Sequence, residues 1–102
     1  MADNPPMRPS ERLTAHRDCV LALAEEHRAQ RVRVFGSVAQ RTDHEGSDVD
    51  LLVDWSAGRS LLRLVGLQIE LATELGVKVD LSTERELRPL LRDRILAQAQ
   101  PL

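Results

Sequence analysis

A chain of 102 residues, 42% hydrophobic and 29% charged, has the balance of one globular domain with a modest core. Its formal charge of −2 gives none of the broad basic field that nucleic-acid binders carry, so no direct nucleic-acid partner is expected, although local basic patches are compatible with it. The single cysteine rules out an internal disulfide and makes a cytoplasmic location the default, and no apolar run approaches the ~20 residues that span a membrane.

Residues 1–9 read as a flexible N-terminal tail, without the apolar core of a signal peptide, and residues 10–102 as one domain. Ser10 is a plausible N-cap for a helix over Glu11–Ala29, with Leu13, Val20, Leu21 and Ala24 at helical spacing. Cys19 falls in this pattern as a buried structural thiol, and His16 and His27 as helix-surface residues. "RVRVF" then alternates, with Val32 and Val34 on one face and Arg33 and Phe35 on the other, as a strand does. Gly36-Ser37 end it, and one helical turn starts at Ser37.

"RTDHEGS" is loop; its His44 reads as solvated. "SDVDLLVDW" is the second strand, with Val49, Leu51 and Val53 facing one way and Asp48, Asp50, Leu52 and Asp54 the other. Asp54 lies at the far end of that face, and Trp55 packs under the next helix. "LLRLVGLQIELATEL" carries a wide apolar stripe through Leu61, Leu64, Val65, Leu71 and Leu75, a helix stopped by Gly76. The stripe exceeds what one small sheet needs, which suggests a partner surface as a secondary role. "VKVDL" is a third strand with Lys78 and Asp80 on one side. A last helix starts near Arg88, because Pro89 is tolerated only in a first turn.

The order predicts an α/β domain: a small mixed sheet with helices on one face and Asp48, Asp50 and Asp80 converging on the other. Like charges ~4 Å apart repel by about 1 kcal/mol in water and by ~4 kcal/mol at an effective dielectric of 20. A cluster of this kind calls for a cation, and carboxylate oxygens suit Mg²⁺, which completes its shell with water and substrate phosphate. Gly36 lets a phosphate approach the backbone, and Ser37 adds a hydroxyl donor. Together these form a site for a metal-bound nucleoside triphosphate and for in-line phosphoryl or nucleotidyl transfer.

Gly36-Ser37, ten residues, then Asp48-x-Asp50 resembles the G-S-x10-D-x-D signature of the DNA polymerase β-like nucleotidyltransferase superfamily. More narrowly, "VFGSVA", "SDVDLLVD" and "LGVKVDLST" are similar to the minimal nucleotidyltransferase family, the MntA-type antitoxins of HEPN–MNT toxin–antitoxin pairs. The resemblance implies a single-domain nucleotidyltransferase fold. It makes Asp48 and Asp50 the metal-binding pair, with two Mg²⁺ ions, and Asp80 a third ligand and base toward the acceptor. It makes Gly36 and Ser37 the holders of ATP's triphosphate. It further implies transfer of AMP to a tyrosine of a partner HEPN ribonuclease toxin in a hetero-oligomer. Two alternatives stay open: a catalytically weak antitoxin that neutralises by binding, and a small-molecule nucleotidyltransferase. The chain departs from the family's usual "GSxARG", with Gln40 in place of Arg and Arg41 in place of Gly.

Overall fold

The computed structural model describes residues 7–56 and 58–102; most of the expected tail, residues 1–6, lies outside them. Helix α1 spans Pro9–Ala15 and α2 Arg17–Glu26, with His16 as the hinge at φ −109° and ψ 17°. The single helix expected over Glu11–Ala29 is thus two. Its cap is Arg8 rather than Ser10: Pro9 takes the first helical position, and the Glu11 carboxylate accepts the Arg8 backbone N–H at 3.0 Å. Pro9, with no N–H to satisfy, fits that position better than the serine after it.

Cys19 is exposed rather than buried. Beyond the hinge α2 buries Val20 and Ala24, so Cys19 falls on the solvent side. Glu74 beside it pushes the thiol up from its ordinary range through a hydrogen bond, which disfavours the reactive thiolate. His16 and His27 bind Glu74 and Glu70, tying the first two helices to the helix over Leu61–Leu75.

Strand β1, Gln30–Phe35, runs into a short helix α3, Gly36–Gln40, and β2 spans Val49–Asp54. Helix α4, Leu61–Leu75, ends at Gly76 in the left-handed region, as its sequence predicts. It buries Leu64, Leu67, Leu71 and Leu75, whereas Leu61 and Val65, expected on the core stripe, are 64% and 48% exposed. Four leucines at spacings of three and four already cover this narrow sheet, and the rest of the apolar set is left outside. Strand β3, Val79–Ser82, leads through a 3-10 turn, Glu84–Glu86, into α5, Pro89–Gln98, and a two-residue strand β4, Gln100–Pro101.

The sheet order is β3-β2-β1-β4. Strand β1 is antiparallel to both neighbours, and β2 is parallel to β3. Val32, Val34, Val49, Leu51, Val53, Val79 and Leu81 form one buried face under α1, α2 and α4. Gln68 of α4 accepts the Leu81 N–H at 2.9 Å, which occupies a donor on the β3 edge. Among the described residues no helix is long and apolar enough to cross a membrane.

The opposite face is not bare along its whole length. Leu52 is fully buried there, beside the guanidinium of Arg33, which donates to Asp54 at 2.8 Å and to Glu84 at 3.2 Å. Arg92 of α5 pairs with Glu84 at 3.6 Å. The link from β3 to β4 therefore passes over the Arg33 half of this face, and α5 continues from there to pack against α3.

Candidate active site

Register brings the predicted residues together. Asp50 lies opposite Phe35 on β1 and opposite Asp80 on β3. Its carboxylate therefore sits between Asp80 and the turn that begins at Gly36. The alternation that runs on from β2 sends Asp48 to the same face, where Lys78, just before β3, meets it at 3.7 Å.

Gly36 has φ +72°, and a Cβ on it would overlap Asp50 Oδ2. Only glycine allows both the backbone conformation and this contact. Ser37 follows in the first turn of α3, whose N-terminus has no side-chain cap. Within the described residues its hydroxyl makes no hydrogen bond, so it is available to a ligand.

The electrostatics of the cluster favour a cation. Partial burial, then Asp80, then Asp48 push the Asp50 carboxyl up to about 6, with Lys78 acting against them. Among the described residues no three His, Cys, Asp or Glu side chains are gathered tightly enough to enclose a metal by themselves. A Mg²⁺ ion needs only a few carboxylates where water and phosphate oxygens complete its shell. The hard oxygen donors and the raised Asp50 both fit such an ion.

Several supports were not assigned from the sequence. Asp43 is 5% exposed and accepts the Ser10 N–H at 2.8 Å, pinning the loop between Ser37 and Asp48 to α1. Lys78 was placed on the Asp80 face by alternation, but its ion pair with Asp48 depends on the parallel register. Asp54, left out of the site, is engaged by Arg33 and Arg31. Trp55 is overlaid by Arg59 at 3.7 Å. Arg41 caps α3 in the left-handed region, φ 57°, and borders a cavity with α1 and β4 residues. Two large cavities open at the other end of the sheet.

Comparison with known proteins gives a consistent picture. The nucleotidyltransferase domain family model matches residues 16–102. A candidate protein adenylyltransferase of Methanocaldococcus jannaschii is 42% identical over 78% of this chain and 86% of its own length. The protein adenylyltransferase MntA of Thermococcus cleftensis is 35% identical over 84% of each chain. The structure of a candidate minimal nucleotidyltransferase superposes with a TM-score of 0.81 at 49% identity, covering 91% of this chain and 95% of that one. A toxin–antitoxin complex crystallised with AMP-PNP matches at TM-score 0.72 and 26% identity, over 82% of this chain and 69% of that one.

Proposed function

The chain belongs to the nucleotidyltransferase domain family, and from that premise we propose that it is a Mg²⁺-dependent protein adenylyltransferase that moves AMP from ATP to a tyrosine of a partner HEPN ribonuclease toxin. Nucleotidyl transfer follows from the family; the metal, the donor nucleotide, the acceptor and the partner are the proposal. The observation that carries it is the register pair Asp50–Asp80 with Gly36 against the Asp50 carboxylate.

Each residue has a task. The turn at Gly36 lets the triphosphate approach the backbone, and Ser37 donates its hydroxyl to a phosphate oxygen. Asp48 and Asp50, with Asp80, are the residues that would hold Mg²⁺. When bound, the metal offsets phosphate charge and lowers the pKa of the acceptor hydroxyl. Asp80 takes the proton of that hydroxyl as its oxygen bonds to the α-phosphorus. The bond to the β-phosphate breaks, and pyrophosphate leaves. A carboxylate face with no second domain in the described residues suits an acceptor brought by another protein. The related toxin–antitoxin structure with AMP-PNP supports the same reading.

Arg41 offers little to the alternative of an impaired enzyme. It occupies the left-handed cap where the family's glycine would sit, and it borders the α1–β4 cavity. The departure from "GSxARG" therefore reads as a stability cost at a cap. The test is intact mass of the partner after incubation with this protein, Mg²⁺ and ATP. Transfer adds ~329 Da per AMP, and Asp48→Ala abolishes the gain. An unmodified partner in a stable complex would instead support the occluding antitoxin.

A further inference from the structure

At the end of the sheet opposite the carboxylates, where Gln30 pairs with Asp54, three arginines meet. A cavity of about 610 Å³ is lined by Glu26, His27, Arg28, Arg59, Ser60 and Arg63. A second cavity, of about 470 Å³, shares Arg28 and Arg59 and is walled by Trp55 and by Asp54, whose charge Arg31 and Arg33 already engage. Arg59 is built in: it stacks on Trp55 at 3.7 Å and donates to the carbonyls of Arg28, at 2.9 Å, and His27. Among the described residues neither Arg28 nor Arg63 pairs with a carboxylate, and Arg59 meets only main-chain oxygens. Glu26 is the one acid in the first lining, and His27 is engaged by Glu70. In a protein of net charge −2, three cations so placed form a local field opposite in sign to the whole.

We infer that this groove is a second ligand site, one that binds phosphate, free or within an RNA backbone, independently of the carboxylate site. Three guanidinium forks converging on one cavity present more donors than the two oxygens of a carboxylate can accept, and a phosphate matches them better. The first turn of α4, starting at Leu61 with no side-chain cap on Ser60, adds free N–H groups and positive helix-end potential at the same place. The two cavities adjoin at the shared Arg28 and Arg59, so phosphates of one strand can reach both.

Trp55 is the only tryptophan in the chain, so intrinsic fluorescence reports this groove alone. The full chain, in metal-free buffer, is titrated with inorganic phosphate and with a short oligouridylate. A saturable change is expected, retained in Asp48→Ala and weakened at least about 10-fold in the Arg28→Gln/Arg63→Gln variant. Saturation by phosphate itself supports a small-anion site. Saturation by the oligonucleotide alone supports a strand, with a log–log salt slope of about −2 for three neutralised phosphates. No saturation with either probe, or saturation untouched by the double substitution, overturns the inference. Arg59 is kept in the variant so that the stack on Trp55 and its two main-chain bonds survive.

Discussion

Asp50 is held where folding alone would not place it. Its carboxyl stands near 6 against an ordinary 3.8 because of burial, Asp80 and Asp48. The folded state therefore binds its proton more tightly than the unfolded state does. The resulting stabilisation is full below about pH 4 and is lost as pH rises through 6. Two pKa units correspond to about 3 kcal/mol, and screening of a half-exposed group reduces that to roughly 1–2 kcal/mol. Asp50→Asn should thus raise the melting temperature in metal-free buffer at pH 7.5 by about 5 °C, with no gain at pH 4, while abolishing AMP transfer. Thermal melts across pH, with and without Mg²⁺, check this: added metal should narrow the gap by stabilising only the native sequence. Equal melting temperatures at both pH values would show that Asp50 carries no such cost. Gly36→Ala acts through shape. It places a Cβ against Asp50 at a positive φ, costing about 1–2 kcal/mol in backbone strain and displacing the carboxylate. Transfer should fall about 100-fold with a lowered melting temperature, read by single-turnover labelling and calorimetry.

At the scale of elements, what the sequence discloses depends on how local the cause is. Strands β1 to β3 and helix α4 are legible because alternation and a three-four spacing are local patterns, and Gly76 marks its own stop. The Asp48–Asp50–Asp80 face was legible for the same reason: parity fixes the side of a strand once the strand is known. The hinge at His16, the short strand β4 and the Arg33–Glu84 link were not, because each depends on a partner far along the chain. Arg33 reads as an ordinary solvated arginine until Glu84 is brought over it. The cap of α3 lies between these cases. Arg41 adopts φ 57°, a conformation that costs an L-residue roughly 1–2 kcal/mol and glycine almost nothing. Arg41→Gly should therefore stabilise the protein by about 1 kcal/mol after the greater entropy of an unfolded glycine is counted. AMP transfer should be retained, since the arginine borders the α1–β4 cavity. Urea denaturation gives the first value and labelled-ATP kinetics the second; loss of transfer would place Arg41 on the phosphates after all.

Taken whole, the molecule offers two very different apolar surfaces to a partner. Leu62 and Ile69 of α4 are 83% and 60% exposed, but α4 packs on the buried sheet face, remote from the carboxylates. Leu90 and Leu91 of α5 are 95% and 46% exposed, and α5 buries none of its own residues. That helix lies beside the Arg33 half of the carboxylate face, held by the Arg92–Glu84–Arg33 chain of ion pairs. A protein acceptor that seats a hydroxyl at Asp50 and Asp80 must cover about 800 Å² on this side, and α5 is the apolar surface available there. Leu90→Ser/Leu91→Ser should therefore lower kcat/KM for the proposed acceptor at least about 10-fold, the loss expected of apolar anchors. Since α5 contributes nothing to the core, the melting temperature and the affinity for ATP should stay as they are. Ile69→Glu, equally exposed but on the other side of the sheet, should leave kcat/KM unchanged. The reverse result, with transfer lost on Ile69→Glu and kept in the α5 variant, would mean that the acceptor approaches over α4 and that a second protomer, or a larger assembly, carries it to the carboxylates.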